Sequence, residues 1–211
     1  MSLTESARRG RGRPPKRDAA EHETREVLLR AGVVALTEKG FSATGIDEVL
    51  KSVGVPKGSF YHFFASKEAF GAELIALYAD YFVRKLDQFL LDESLTPLQR
   101  IDAFCQDAEQ GMARFGFRRG CLVGNLGQEM NALPQAFRAQ LTDVLIDWQA
   151  RTERCLEAAR IAGEIPKHAD CAGLAAFFWI GWEGAVLRAK LEGRAEPLRL
   201  FTHHFRALVT I

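Results

Sequence analysis

Cys121 is the residue whose type and neighbours most directly suggest chemistry. It follows Arg118, Arg119 and Gly120 in the glycine-rich stretch GFRRGCLVGNLGQEM, residues 116–130, which interrupts a helical pattern. If a helix begins at this cysteine, its free N–H groups and the two cations would lower the thiol pKa and produce a reactive thiolate. Cysteine is usually a small, inert hydrophobic residue, so both interpretations of Cys121 stay open.

The other cysteines and the histidines show no pattern for catalysis or metal binding. Three cysteines lie far apart with no CxxC spacing: Cys105, Cys155 and Cys171. We expect them to be reduced and inert, with no disulfide framework and no zinc site. Three histidines lie in no nucleophile–base pattern: His168, His203 and His204. We therefore expect a protein that is not an enzyme and needs no cofactor or metal; an enzyme that uses Cys121 remains an alternative.

A carboxylate at the end of an aromatic-rich run is a second chemical signal. Glu183 follows twelve uncharged residues, 171–182, and a carboxylate there needs a partner or a cavity. It could equally pair with Arg188 or face a dimer partner. The surrounding apolar side chains have the composition of a ligand pocket, although core packing explains each one alone. They are Phe104, Met112, Phe115, Trp148, Phe177, Phe178, Trp179 and Trp182.

The elements that must position these residues are helices. Apolar residues recur at helical spacing with no sustained period-2 alternation, and capping and breaking residues divide the pattern into about nine segments. This predicts an all-α fold, with a three-helix helix-turn-helix head followed by a larger helical domain. We expect a basic disordered arm at 1–18, the head at 19–66 and the ligand-binding and dimerisation domain at 67–211.

The stretch GVPKGSFYHFFASKEAF, residues 54–70, predicts the second helix of the helix-turn-helix. Thr44 with Asp47 predicts a cap for a short helix at 45–53, and Pro56 opens the next one at 56–64. One side of this second helix is aromatic and faces the core: Phe60, Phe63 and Phe64. The opposite side is bare or polar: Lys57, Gly58, Tyr61 and His62, with Ser59 at its edge. Such a side suits a DNA major groove, and an ordinary exposed helix face is the alternative.

Charge is distributed unevenly along the chain. Residues 1–20 carry six Lys/Arg and two acidic residues, so the net charge of +1 leaves −3 for the remainder. This asymmetry indicates a polyanion partner for the arm. Arg11 and Arg13, in an extended Arg-Gly-Arg-Pro, are expected to contact the DNA minor groove or backbone; a solubilising tail is the alternative. The absence of an apolar leader and of a long uncharged run predicts a cytoplasmic protein with no membrane span.

The sequence TGIDEVLKSVGVPKGSFYHFFASKEAF closely resembles the DNA-binding signature of TetR-type transcriptional repressors, over residues 22–75. Val53 departs from the usual small residue and Pro56 from the usual capping Ser or Thr. The resemblance implies that Thr44 and Gly45 meet phosphate at a helix N-terminus and that Lys67 holds another phosphate. It places four side chains in or beside the groove: Lys57, Ser59, Tyr61 and His62.

RRGCLVGNLGQEM and FFWIGWEGAVLRAKLE resemble a subgroup of these repressors. The subgroup includes acrylate-responsive repressors and, more distantly, repressors that sense electrophiles through a cysteine at this Gly-Cys-Leu position. The resemblance implies a small unsaturated or electrophilic effector and a site with four residues: Cys121, Trp148, Trp182 and Glu183. Arg118 or Arg119 could hold the carboxylate of acrylate.

The last two helices resemble the dimerisation bundle of the family. Gly181, Ala185 and Ala189 form a stripe of small residues where another helix could pack closely, and three apolar residues stripe the final helix: Phe201, Phe205 and Leu208. We expect an isologous homodimer on a palindromic double-stranded operator, released by its effector. An architectural DNA-binding protein without an effector is the alternative; it predicts weak sequence preference and an affinity that depends on residues 1–17.

Overall fold

The computed structural model describes residues 16–210 of the chain, with side chains from residue 21 onward. This part of the chain forms nine α-helices and no strand, which confirms the predicted all-α fold. The helices are α1 Lys16–Lys39, α2 Ile46–Ser52, α3 Phe60–Phe63, α4 Lys67–Leu90, α5 Pro97–Arg114, α6 Leu122–Gln128, α7 Gln135–Ala162, α8 Cys171–Glu192 and α9 Glu196–Val209. Arg11 and Arg13, with most of the predicted arm, lie outside the described residues.

Polar caps explain where several of these helices begin. Ser66 accepts a hydrogen bond from the Ala69 N–H at 3.1 Å and so opens α4. The Thr96 N–H donates to Gln99 Oε1 at 3.0 Å ahead of α5, where Pro97 needs no N–H partner. The glycine-rich break expected after α5 is shorter than predicted, because α6 forms inside it.

Helices α1 to α3 form the head, and α4 to α9 form the body. In the body, α7 packs against α4, α5 and α8, and α8 packs against α9. The buried side chains of head and body make one continuous hydrophobic cluster. The head is therefore packed onto the body rather than joined to it by a linker alone.

The C-terminal end of α1 is the main polar connection between head and body. Asn125 Nδ2 donates to the Leu36 and Thr37 carbonyls, both at 2.9 Å, and the Gly120 N–H donates to the Thr37 carbonyl at 3.0 Å. Lys190 Nζ donates to the Glu38 carbonyl at 2.8 Å. The Thr37 and Glu38 carbonyls lie in the last turn of α1, where carbonyls lack a partner within the helix, and these contacts fix the position of α1 relative to the body.

Candidate functional site

The helix-turn-helix forms as predicted from its local pattern. The turn after α2 closes when the Val55 N–H donates to the Leu50 carbonyl at 3.0 Å, with Gly54 at φ +68°. A 3₁₀ turn, Lys57–Ser59, runs directly into α3, so this helical segment spans 57–63. Phe60 is fully buried and packs edge-on against Phe70, with ring centroids 5.3 Å apart. The aromatic side therefore anchors the segment to α4.

The opposite side of this segment is open to solvent. Lys57, Gly58, Tyr61 and His62 are exposed, and Ser59 is half-buried. Lys57 Nζ lies 2.8 Å from Asp47 Oδ2, and this hydrogen bond raises the Lys57 pKa. A Cβ at residue 58 would meet no atom within 4 Å, so packing inside the chain does not require glycine there. This side can approach an external surface closely.

Thr44 does not cap α2, and this prediction is wrong. Thr44 is buried and its hydroxyl donates to the Gly40 carbonyl at 2.6 Å, because it closes the turn after α1. Exposed Gly45 takes the N-cap position with no side-chain hydrogen bond. Lys67 Nζ donates to the Phe41 carbonyl at 2.9 Å and lies over the Phe41 ring. The Thr44 hydroxyl is therefore not available to a phosphate in this conformation.

A cavity of about 240 Å³ lies between the head and the body. Its walls come from α1, α4, α5, α8 and the segment before α6. They are formed by Val33, Val34, Thr37, Tyr78, Tyr81, Phe82, Lys85, Ala108, Gly111, Met112, Phe115, Arg119, Gly120, Cys121, Trp182, Glu183 and Val186. Tyr81, Phe115 and Arg119 are partly exposed and mark the mouth, whereas Cys121 and Trp182 are buried and mark the floor. The cavity is mostly apolar with a few polar groups, as small-ligand sites are.

Sequence reasoning missed the contribution of α4 to this cavity. Tyr78, Tyr81, Phe82 and Lys85 line it at positions i, i+3, i+4 and i+7. This spacing puts them on one side of the helix, and it is visible in the sequence. The contribution of α1 has no comparable signal, because Val33, Val34 and Thr37 resemble any core-facing turn.

A polar cluster of Tyr78, Cys121 and Glu183 lies at the floor of the cavity. The three side chains line the same cavity and lie close enough together to shift one another's pKa values. The Gly124 N–H also lies 3.5 Å from Cys121 Sγ, so Cys121 caps α6 as expected from its position. A Cβ at residue 124 would overlap Glu183 Oε2, so only glycine leaves room for this carboxylate.

The Cys121 pKa is raised rather than lowered, which contradicts the interpretation of this cysteine as a reactive thiolate. Burial raises the Cys121 pKa well above its usual range, and the neighbouring Glu183 raises it further. Neither arginine neutralises it. Arg118 is exposed and its Nε donates to the Phe115 carbonyl at 3.4 Å, outside the cavity wall. Arg119 lines the cavity but pairs with Glu38 at 3.0 Å.

Glu183 has a raised pKa and no cationic partner among residues 21–210. Burial raises its pKa from 4.5 to about 7, and the neighbouring Cys121 thiol opposes the shift. The residue as a whole is half-buried, but its carboxylate is enclosed by Cys121 and Gly124, and this enclosure dominates. The alternative partner, Arg188, pairs with Glu192 at 2.8 Å instead.

Of the aromatic residues predicted to contact an effector, only some line the cavity. Met112 and Trp182 do. Trp148 and Trp179 are buried behind it with their rings 4.9 Å apart, and Phe82 separates them from the cavity. Trp179 Nε1 donates to Thr152 Oγ1 at 3.0 Å. These two tryptophans are core residues, because α7 and α8 pack directly against each other.

The small-residue stripe on α8 is packed inside the chain, which corrects its assignment to a dimer interface. Ala185 and Ala189 are buried, and a Cβ at residue 181 would overlap the Phe201 ring of α9. Phe205 is buried as well, whereas Leu208 is exposed. A different set of large apolar side chains is exposed on α8 and α9, and we name it the apolar face: Phe177, Ile180, Leu191, Leu200 and Leu208.

Neither a metal centre nor a membrane-spanning helix is found in the described part of the chain. Between residues 21 and 210, no group of three or more His, Cys, Asp or Glu side chains is arranged to hold a metal ion. No helix within residues 16–210 is both long and apolar enough to cross a membrane.

The fold and the exposed helix define a DNA-binding regulator with a helix-turn-helix head and a helical C-terminal body. Residues 28–74 match the family model for bacterial regulatory proteins of the tetR family, and residues 97–205 match the tetracyclin repressor-like C-terminal domain. The chain belongs to the TetR family of transcriptional regulators. It is a helix-turn-helix transcriptional repressor rather than an enzyme, and the relatives it matches are transcriptional regulators or repressors.

Similar proteins support this assignment over nearly the whole chain. The transcriptional regulator AcuR of Cereibacter sphaeroides is 54% identical over 204 residues, which cover 97% of this chain and 92% of AcuR. The repressor NemR of Escherichia coli is 31% identical over 189 residues, covering 90% and 95% of the two chains. A crystal structure of a TetR regulatory protein from Rhodobacter sphaeroides superimposes with a TM-score of 0.85 at 57% identity, covering 86% of this chain and 96% of that one.

Proposed function

We propose that this repressor binds a palindromic operator as an isologous dimer and is released by a small unsaturated carboxylate, of which acrylate is the first candidate. The observation that supports it most is the cavity, because helix α1 of the head forms one wall of it. A ligand there contacts the DNA-binding head and the body at once. Effector binding can therefore bias the position of the head, which is what a ligand-controlled repressor requires.

The reading head is proposed to consist of the exposed side of the 57–63 segment. Lys57, Ser59, Tyr61 and His62 are the polar side chains available to phosphates and base edges, and Gly58 allows the backbone to approach. Gly45 and the first N–H groups of α2 are proposed to lie near a phosphate. Lys67 Nζ uses one of its three N–H donors for the Phe41 carbonyl, so the other two are proposed to hold a phosphate. Arg11 and Arg13 of the arm are proposed to add contacts along the minor groove or backbone.

The domain limits are proposed as 1–18 for the arm, 19–66 for the head and 67–211 for the body. The start of α4 at Lys67 supports the second boundary. Phe60 and Phe64 of the head contact the Phe70 ring across the boundary between residues 66 and 67, so the head is positioned by the first turn of α4.

The apolar face on α8 and α9 is the proposed dimer interface. Phe177, Ile180 and Leu191 lie within about 60° of one another around α8 at 3.6 residues per turn, and Leu200 and Leu208 lie two turns apart on α9. Ile180 and Leu191 are each 73% exposed. Contiguous exposed apolar surface of this kind marks an interaction site, and a two-fold axis through it would pair the same helices of both protomers.

The size and polarity of the cavity support a small carboxylate effector. Its volume of about 240 Å³ is below the roughly 300–1,000 Å³ of sites for drug-sized ligands. Lys85 and Arg119 are the two cations of its wall, so a carboxylate is proposed to lie toward the mouth and the vinyl group toward Cys121. Because burial raises the Cys121 pKa and so disfavours the nucleophilic thiolate, the proposed binding is reversible rather than covalent.

Fluorescence anisotropy on a labelled duplex from the upstream region of the gene tests this function. We expect at least about 10³-fold preference over a scrambled duplex, and release by acrylate without a mass change on Cys121. Propionate, which lacks the vinyl group, and acrylamide, which lacks the charge, are the matched controls. Specific binding that acrylate does not change would exclude this effector and keep the repressor. Equal binding to both duplexes would favour the architectural alternative at this locus.

A further inference from the structure

Arg119 connects the cavity to the head. Its side chain lines the mouth of the cavity, and its Nε donates to Glu38 Oε1 of α1 at 3.0 Å. The other cation of the cavity wall, Lys85, pairs with Asp107 of α5, so that ion pair stays within the body. Of the two cations that a carboxylate can meet in the cavity, Arg119 alone is paired with the head.

The pair between Arg119 and Glu38 is suited to exchange. Both side chains are partly exposed, at 29% and 30%, so solvent weakens their attraction. Within the described side chains, only Nε of Arg119 has a carboxylate acceptor, which leaves the terminal guanidinium nitrogens for a second one. The Phe115 ring centroid lies 3.9 Å from Arg119 Cζ and holds the guanidinium at the mouth.

Glu38 depends on this cation because of its position in the helix. It lies in the last turn of α1, where the helix carbonyls already present partial negative charge. Lys190 Nζ is the other cation nearby, and it is held by the Thr37 and Glu38 carbonyls at 3.2 and 2.8 Å. If Arg119 turns away, the Glu38 carboxylate is less compensated at the point where α1 is attached to the body.

We propose that the effector acts by carboxylate exchange: its carboxylate takes Arg119 from Glu38 and thereby weakens the attachment of α1 to the body. The proposal rests on the proposed function, because it requires a carboxylate effector in this cavity. It assigns Glu38 a role as an internal competitor that the effector must displace. The same displacement carries the signal to the head, since Glu38 belongs to α1.

Isothermal titration of acrylate into the DNA-free protein tests the exchange through Glu38→Gln. Without the competing carboxylate, we expect acrylate to bind about two- to fivefold more tightly, equivalent to about 0.4–1 kcal/mol, and acrylamide to bind as it does to the unsubstituted protein. Glu26→Gln is the matched control, because Glu26 lies on the same helix and pairs with Arg30 on the surface. As a second variant, Arg119→Gln should bind acrylate more weakly and acrylamide unchanged.

The DNA titration gives an independent measurement. The quantity compared is the factor by which saturating acrylate weakens operator binding. In Glu38→Gln this factor should be two- to fivefold smaller than in the unsubstituted protein, because the coupling between acrylate binding and operator binding no longer includes the ion pair. Acrylate affinity that is unchanged or weaker in Glu38→Gln overturns the exchange and leaves the effector in place. A gain for acrylate and acrylamide alike also overturns it. If the unsubstituted protein binds no acrylate, the proposed effector fails and the exchange fails with it.

Discussion

Replacement of Glu183 by glutamine should remove a pH-dependent loss of folding stability. Burial raises the Glu183 pKa from 4.5 to about 7 in the folded state. The folded protein therefore keeps the proton between these values while the unfolded chain has lost it. Because the folded state binds more protons in this range, its stability falls as the pH rises from about 4.5 to about 7 and then levels off.

The size of the effect follows from the same two values. One pKa unit corresponds to about 1.4 kcal/mol, which gives about 2.5 kcal/mol between pH 5 and pH 8 for a fully enclosed carboxylate. Glu183 is half-buried as a residue, so solvent screening reduces the expected value to about 2 kcal/mol. Glutamine does not titrate, so the free energy of unfolding of Glu183→Gln should rise by this amount relative to the unsubstituted protein between pH 5 and pH 8.

Urea unfolding at pH 5, 6, 7 and 8, at one protein concentration, measures the difference. The concentration is held constant because dimerisation would add to the apparent stability. Glu93→Gln is the control, since Glu93 is exposed between α4 and α5 and its replacement should give no pH-dependent difference. A constant difference between Glu183→Gln and the unsubstituted protein across this range would refute the reasoning, because it would mean that the carboxylate is solvated when folded.

Three further predictions concern DNA binding, dimerisation and thiol reactivity. Lys57→Gln should weaken binding to operator and scrambled duplex alike. It should also reduce the magnitude of the slope of log K against log salt concentration by about 0.9 for each phosphate that the protein no longer neutralises. An unchanged slope would argue against a phosphate contact, and exposed Lys167→Gln is the control. Ile180→Asp should shift sedimentation to the monomer, whereas Ile161→Asp, at 82% exposure on α7, should not; a stable Ile180→Asp dimer would move the interface elsewhere. Cys121 should react with iodoacetamide at pH 8 at least about tenfold more slowly in the folded than in the urea-unfolded protein, measured by mass spectrometry, and equal rates would contradict its raised pKa.

Local patterns predicted most of the helices and the two sides of the 57–63 segment, but not α6, which forms inside the stretch expected to interrupt the helices. The spacing of Phe60, Phe63 and Phe64 separates a core side from an open side within a single turn or two, and both sides lie where the pattern predicts. Ser66 caps α4 for the same reason, because its partner is the N–H of Ala69. The prediction that Thr44 caps α2 was wrong because a threonine hydroxyl can close the preceding turn as well as open the next helix. The sequence does not distinguish these two hydrogen bonds.

Small and aromatic residues on α8 indicated close packing but not the partner. At Gly181 the approaching helix is α9 of the same chain, and Ala185 and Ala189 are also buried within the chain. Trp148 and Trp179 are apolar enough for either a pocket or a core. Their place depends on which side of α7 meets α8, and that choice is made by the summed packing of many side chains.

The chemistry of Cys121 shows where sequence information ends. The sequence determined that this cysteine precedes a short helix and has two arginines beside it, and both features favour a thiolate. Tertiary structure alone decided that Arg118 is exposed, that Arg119 pairs with Glu38, and that a carboxylate from α8 lies against the sulfur. Electrostatic effects act through space, and desolvation depends on every group that surrounds the thiol. The sign of the pKa shift is therefore set by residues that are distant in the chain and adjacent only in the folded protein.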